Sequence, residues 1–190
     1  MSPSRRILWV KSGPLHPLNT GGRRRTHAML TELSRHHEVT WLAGLSDDTS
    51  LAPEEESDPY AKEKIWISTR ESKKGSPAYI FDLFRNLIFS SLPYVLDRYR
   101  SKAMEEAIRA HDASGDFDLI ICDFLTPAVN FPRSSRGTPT ILFQHNIEAQ
   151  IWKRLASEKK NPGVRAYFRS QFRRMWRAEK ALSEQFDGVV

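Results

Sequence analysis

Cysteine is almost absent from this 190-residue sequence, which has one, Cys122. A lone thiol inside the apolar run LIICDF excludes a disulfide scaffold and a cysteine zinc site, and it is typical of a reducing cytoplasm. The sequence also lacks H-E-x-x-H, RNA-binding signatures and a recognisable Ser/His/Asp triad. We therefore expect no metal, no cofactor and no protein nucleophile.

Long apolar runs are missing too. No segment approaches the ~20 uninterrupted apolar residues of a membrane span, and the start, MSPSRRILWV, lacks the apolar core of a signal peptide. These absences predict a cytoplasmic protein, either free or at the inner face of the membrane.

The bulk composition is that of one globular domain, which we assign to residues 1–190. Hydrophobic residues make up 39% of the chain and charged residues 27%, so wholesale disorder is not expected. The net charge of +6 favours an anionic partner, which the composition leaves open among nucleotide, phosphate, acidic lipid and nucleic acid.

Apolar runs alternate with helical patterns along the chain. This order predicts an α/β fold, a Rossmann-like, mostly parallel sheet with helices on both faces. The predicted strands cover residues 6–10, 38–45, 64–68, 118–123, 140–144 and 187–190, and the predicted helices cover 22–36, 77–92, 93–110, 148–157 and 163–184. Residues 46–63 are predicted to be a solvated loop. Because the sequence stops inside the last strand, we expect more chain after Val190.

The first strand runs into a glycine pair, Gly21-Gly22, at the start of a helix. Glycine lets a ligand approach the backbone, and a helix N-terminus attracts phosphate, but taken alone the pair is more typical of a tight turn. Neither the dinucleotide nor the P-loop fingerprint is present. Arg23, Arg24 and Arg25 follow directly, and they are either a phosphate clamp or a solvated charge run.

A second strand-to-helix turn, TPTILFQHNIEAQIWKRLA, carries His145. In an open α/β sheet, ligands bind beyond the carboxyl ends of the strands, so His145 either polarises a sugar hydroxyl there or is a capping or core histidine. Asn146 is a candidate helix cap, and Glu148 is a carboxylate suited to the first helical turn. Asp123, at the end of the preceding strand, and His16, in the first loop, are candidates for the same cleft.

Two helices have unusual faces. The helix over residues 77–92 is rich in aromatic and aliphatic residues, which suits a buried core helix, our favoured interpretation, or contact with a lipid-linked acceptor or a bilayer. The last helix has a basic face, which we interpret as solvated in preference to a lipid or nucleic-acid contact. Its cations are Arg165, Arg169, Arg173, Arg174, Arg177 and Lys180.

Taken together, these motifs resemble the N-terminal domain of family 4-like glycosyltransferases of the GT-B fold. The resemblance spans nearly the whole chain. The matching segments are the P-x-x-x-G-G loop from Pro17 to Gly22, SLPYVLDRYRSKAMEEAI, FDLIICDFL, RAEKALSEQFDGVV and, as the most specific of them, PTILFQHNIEAQIWKRLA.

The resemblance implies the acceptor-binding half of a retaining, metal-free sugar transferase, one of two Rossmann-like domains facing each other across a cleft. Gly21 and Gly22 would approach the donor diphosphate, and His145 would lie near the transferred sugar. The acceptor side would be lined, with weaker support, by His16, Arg23, Asp123, Asn146 and Glu148. The implied partners are a nucleotide-sugar donor and a hydroxyl acceptor, lipid-linked or not. Peripheral membrane contact is the separate expectation drawn from the helix over residues 77–92.

The family's donor-binding domain, with its spaced glutamate pair, is not in this sequence. The chain therefore resembles half an enzyme, expected to be inactive alone: an excised piece, a truncated reading frame or one subunit of a split transferase. The alternatives are a non-catalytic Rossmann-like binding module or membrane-docked scaffold and, less favoured, a basic nucleic-acid-binding protein.

Overall fold

A computed structural model describes residues 3–47, 49–70, 72–132 and 137–190. Its six strands form one sheet in which every pairing is parallel. The strands are β1 Arg6–Lys11, β2 Glu38–Ser46, β3 Glu63–Thr69, β4 Leu119–Asp123, β5 Thr140–Phe143 and β6 Gly188–Val189. The predicted Rossmann-like α/β fold is confirmed.

The strand order is β3-β2-β1-β4-β5-β6. The chain winds outward from β1 in one direction and returns to place β4 on its other side, where Trp9 pairs with Ile121. The order therefore reverses between β1 and β4. In sheets of this kind the ligand crevice opens beyond the carboxyl ends of the two strands at the reversal.

Helices cover both faces of the sheet. They are α1 Gly21–Leu33, α2 Pro53–Ser57, α3 Pro77–Phe89, α4 Tyr94–Asp97, α5 Lys102–Ser114, α6 Leu125–Ala128, α7 Glu148–Glu158 and α8 Pro162–Ser183. Successive residues of β1 supply two separate cores, because side chains alternate across a strand: Leu8 and Val10 belong to one cluster, and Ile7 and Trp9 to the other.

The helix predicted over residues 93–110 is two helices, α4 and α5, so this prediction is wrong. Asn130 stabilises the break between them. Its Nδ2 donates to the carbonyl of Tyr99 at 2.9 Å, and its Oδ1 accepts from the N–H of Ser101 at 2.8 Å. The hydroxyl of Ser101 then caps α5 by accepting from the N–H of Met104.

The solvated loop predicted over residues 46–63 is also corrected, because it contains α2 and a buried carboxylate. Glu55 is 0% exposed. It accepts hydrogen bonds from the Tyr60 hydroxyl and, at 2.5 Å, from the backbone N–H of His16. These partners offset the cost of desolvating the carboxylate. The number of acidic residues in the segment does not reveal that one of them is buried.

Helix α3 is not the core helix that its composition favoured. Its phenylalanines face outward, with Phe89 82% exposed, whereas Asn86 is 1% exposed. The Asn86 amide donates to the carbonyl of Leu92 and to Asp97, and Arg174 of α8 donates to the carbonyls of Asn86 and Leu87. These polar contacts and the edge-to-face packing of Tyr79 on Tyr94 attach α3 to the protein, and its phenylalanine side is left outside.

Candidate functional site

An open hollow of about 790 Å³ lies beyond the carboxyl ends of β1 and β4, where the strand order reverses. Six of the predicted site residues line it together: Gly21, Gly22, Arg23, Asp123, His145 and Asn146. His16 and Glu148 lie outside its lining. The two strand-to-helix turns singled out in the sequence thus meet at one cavity.

The N-terminus of α1 forms one rim of the hollow. Thr20 caps the helix, with its hydroxyl accepting from the N–H of Arg23 at 3.3 Å. The N–H groups of the next two residues, Gly21 and Gly22, belong to the first turn, which has no carbonyl partners within the helix. These amides are suited to an anion that enters the hollow.

The two glycines are not required by the turn itself. Neither has a positive φ, so the backbone there is open to any residue. A Cβ built on Gly21 would meet nothing within 4 Å, and one on Gly22 would meet Phe124 Cε2 at an ordinary 3.8 Å. Packing therefore does not explain the pair, and the tight-turn interpretation loses its main support.

The three arginines after the glycine pair make different contacts. The Arg23 guanidinium donates to the carbonyl of Pro17 at 3.0 Å, and that of Arg24 donates to Leu18 at 2.9 Å, so both brace the β1–α1 loop. Arg25 lies over the Phe143 ring, 5.3 Å from its centroid, and lines the hollow with Arg23.

Asp123 lies at the floor of the hollow, is 0% exposed and accepts hydrogen bonds from several side chains. Its Oδ2 accepts from Lys11 Nζ at 2.6 Å, Thr26 Oγ1 at 2.7 Å and Trp9 Nε1 at 3.0 Å. Burial by itself raises the pKa of Asp123, but the hydrogen bond from His145 and the Lys11 ammonium outweigh it and leave the pKa below its ordinary value. Asp123 is therefore an ionised carboxylate with its lone pairs in use.

His145 is held against this carboxylate by two aromatic rings. Its Nε2 lies 3.3 Å from Asp123 Oδ1, and its ring packs on Phe124 at 4.8 Å and on Phe143 at 4.7 Å between centroids. Because an ionised carboxylate only accepts, Nε2 carries a proton in this contact. In the neutral form of the ring Nδ1 would be the acceptor, and the side chain is 5% exposed.

Phe124 occupies a strained backbone conformation at the same place, with φ 83° and ψ 170°. Such a conformation costs about 1–3 kcal/mol in a residue other than glycine. The hydrogen bond from its N–H to the carbonyl of Phe143, 2.9 Å, helps to hold it. The strain brings the Phe124 ring against His145, and nothing in the sequence pattern indicated it.

The cap of α7 comes from another helix, so the prediction that Asn146 caps it is wrong. The N-cap residue is Ile147, which makes no side-chain cap bond. Glu179 of α8 accepts from the N–H groups of Glu148 and Ala149 at 2.8 and 2.9 Å. Glu148 does lie in the first turn, where burial and then the nearby Glu179 raise its pKa.

Sequence reasoning missed further residues of the lining, among them Lys11, Ser12, Phe124 and Thr126. Lys11 and Ser12 directly follow the apolar run of β1, a position that could have identified them. Ser12 is joined to Thr126 by a 2.8 Å hydrogen bond between their hydroxyls, which links the loops after β1 and β4.

No protein-family model matches this sequence, and no curated protein matches it significantly. Among the described residues, no helix is both long and apolar enough to cross a bilayer. The fold and the site therefore define the class of molecule: a Rossmann-like α/β chain with a cationic hollow at the reversal of its sheet.

Proposed function

We propose that this chain is the acceptor-side half of a retaining glycosyltransferase of the GT-B kind, and that its hollow receives the diphosphate of a nucleotide-sugar donor. One observation carries the proposal. Gly21 and Gly22 at the start of α1 and His145 line the same cavity, although they come from turns more than 120 residues apart.

The charges around the hollow favour a diphosphate. Its described lining includes the cations Lys11, Arg23 and Arg25, and among those described residues the one carboxylate is Asp123. The charge of Asp123 is offset by Lys11, whose Nζ lies 2.6 Å from Oδ2, so Arg23 and Arg25 supply the net positive charge for an entering anion. Amides at a helix N-terminus add a fixed positive potential without the cost of reorganisation.

The chemistry that follows is electrostatic. As the bond between sugar and diphosphate breaks, negative charge develops on the leaving group, and the amides of Gly21 and Gly22 stabilise it. His145 accepts a hydrogen bond from a sugar hydroxyl through Nδ1 and so orients the sugar. Asp123 acts through His145 by holding its tautomer, and it is a positioning residue.

The acceptor side extends from the hollow toward α3. A smaller cavity shares Lys11, Ser12 and Tyr99 with the hollow. A third cavity shares three arginines with this smaller cavity and reaches α3 at Asp82 and Arg85. The shared arginines are Arg70, Arg98 and Arg100. This path suits a lipid-linked hydroxyl acceptor whose anionic group lies in the smaller cavity, where the described lining has these arginines and no carboxylate, whereas Asp47, Asp82 and Asp97 line the cavity that reaches α3.

Helix α3 then supplies the contact with an anionic bilayer surface. Phe81, Phe84 and Phe89 point outward, and the exposed cations Lys73, Lys74 and Arg85 lie on or just before the same helix. Apolar side chains flanked by cations are the pattern of an interfacial helix on acidic lipid.

The donor site is tested on the purified chain by calorimetric titration with a panel of nucleoside diphosphates. We expect binding by at least one of them, together with no sugar transfer by the chain alone, because the donor-binding domain of such enzymes supplies most of the donor contacts. Efficient transfer by the isolated chain, or no binding of any nucleoside diphosphate, would contradict the proposal.

The membrane contact is tested by co-sedimentation with vesicles that contain acidic lipid. Replacing Phe81 and Phe84 with serine should weaken binding at least tenfold, because burying each ring contributes about 1.5–3 kcal/mol. The matched control replaces Ile147 and Ile151, which are also exposed, and should bind as wild type. Equal losses in both double variants would refute a role for α3.

A further inference from the structure

Two histidines and an aspartate meet away from the hollow. His16 comes from the β1–α1 loop, His27 from α1, and Asp58 from the segment after α2. Asp58 Oδ2 lies 2.8 Å from Nε2 of His16 and 2.7 Å from Nε2 of His27. The three candidate ligand atoms all lie within 4.8 Å of one another.

The surrounding residues fix the orientation of both imidazoles. The rings of His16 and His27 meet edge to face at 5.9 Å, and both pack on Tyr60, at 6.3 and 6.5 Å. Tyr60 is itself buried against Trp41, with 5.2 Å between ring centroids. Ligands held by packing and by neighbouring hydrogen bonds need little reorganisation to bind an ion.

We propose that His16, His27 and Asp58 form a binding site for a divalent transition metal, with Zn²⁺ the ion that this donor set suits best. Two imidazoles and one carboxylate are common ligands of zinc, and imidazole also accepts Cu²⁺, Ni²⁺ and Co²⁺. All three residues are partly exposed, so an ion can enter and complete its shell with water.

The geometry requires an adjustment of the side chains. In a tetrahedral zinc site with ligand bonds near 2.0–2.2 Å, neighbouring ligand atoms lie about 3.4 Å apart. The two contacts to Asp58 Oδ2 must therefore lengthen by roughly 0.6–0.7 Å, and the ligand nitrogens of His16 and His27, which lie within 4.8 Å of each other, must come to the same separation. Rotation of partly exposed side chains can supply these movements.

The local charge also favours a cation. With both imidazoles neutral, the carboxylates of Glu55 and Asp58 face one ammonium, that of Lys64, which donates to the backbone carbonyls of the same two residues. The cluster is thus left with a net negative charge that a divalent ion reverses.

A metal here would join three segments that are distant in sequence. Asp58 lies 42 residues from His16 and 31 from His27, so no short motif indicated the site, and the sequence led us to expect no metal. Because His16 belongs to the loop that leads into Gly21, the ion would brace the rim of the hollow. The inference does not depend on what the hollow binds.

The test uses the purified chain, stripped with a chelator and titrated with Co²⁺ and then with Zn²⁺ in competition with a chromophoric chelator. We expect visible absorption bands of a low-symmetry Co²⁺ site, loss of those bands as Zn²⁺ displaces Co²⁺, and 1:1 stoichiometry. At about 100 times its dissociation constant, Zn²⁺ should raise the Tm by about 5–10 °C.

Three variants decide whether these residues are the ligands. His27→Gln and Asp58→Asn should each weaken Zn²⁺ binding by more than about 100-fold and abolish the Tm shift, while circular dichroism shows that they fold. The control variant carries His36→Gln and His37→Gln, two changes just beyond the end of α1 in the same chain, and should bind as wild type. No 1:1 binding by wild type, or equal binding by Asp58→Asn, would overturn the proposal.

Discussion

Replacing Gly22 with alanine separates the function of the glycine pair from its structure. Gly22 occupies the second position of α1 with an ordinary φ, and a Cβ there would lie 3.8 Å from Phe124 Cε2. Phe124 lines the hollow, so the methyl group would project into the space that we assign to a diphosphate. We expect the variant to fold as wild type does and to bind a diphosphate more weakly.

The expected effect on folding is small and favourable. Alanine restricts the unfolded chain more than glycine does, which is worth about 0.4–1 kcal/mol where the native backbone accommodates it. For a chain of this size the Tm should rise by about 1–4 °C. Urea unfolding and a thermal scan measure this directly.

The expected effect on binding has the opposite sign. A phosphate oxygen that accepts from an amide lies about 2.9 Å from the nitrogen, and a methyl group beside that amide obstructs its approach. We expect Gly22→Ala to raise the Kd for a nucleoside diphosphate at least about tenfold, which corresponds to about 1.4 kcal/mol. Calorimetric titration measures the change.

Gly163→Ala is the matched control. Gly163 occupies the second position of α8, as Gly22 does in α1, and it lies outside the lining of the hollow. A Cβ there would meet Asn161 Oδ1 at 3.4 Å. This variant should bind as wild type. If Gly22→Ala binds equally well, or if it lowers the Tm, our account of the glycine pair is refuted.

Three further changes test the surroundings of the hollow. Asp123→Asn should lower the free energy of unfolding by about 3 kcal/mol at pH 7, because it breaks a buried ion pair. Since the folded pKa of Asp123 is lowered, the stabilisation is present above about pH 4 and is lost as the pH falls through the folded pKa. Urea unfolding should therefore show the difference in free energy between variant and wild type shrinking in acid, and a constant difference would contradict us. Gly44→Ala should cost about 1–3 kcal/mol in the same assay, since a Cβ there lies 2.8 Å from the backbone oxygen of Ser12, and an unchanged midpoint would refute this. Glu179→Ala should cost about 1–2 kcal/mol, and hydrogen exchange should quicken at Glu148 and Ala149 if Glu179 caps α7.

Much of the fold could be predicted because strand and helix patterns are local. Short apolar runs such as LIICD mark buried strands, and the alternation with helices requires a parallel sheet. The faces of the helices were harder to assign. The composition of α3 suggested a core helix, but the buried amide of Asn86 and the guanidinium of Arg174 turn its polar side inward.

Only the residues at the rim of the hollow could be predicted from the sequence. Gly21, Gly22 and His145 follow strands, and a parallel sheet brings the carboxyl ends of its strands to one edge. Contacts that cross the fold were not predictable. The cap from Glu179, the strained φ of Phe124 and the approach of His16 to Asp58 each depend on tertiary packing between segments far apart in sequence.

The central claim is that one hollow beside α1 receives a diphosphate. It is tested most directly by titrating the ¹⁵N-labelled chain with the nucleoside diphosphate that binds best and recording amide chemical shifts. We expect the largest changes at Gly21 and Gly22, with accompanying changes at His145 and Phe124. Shifts confined to residues outside the lining of the hollow, or no shifts at saturating ligand, would contradict the account.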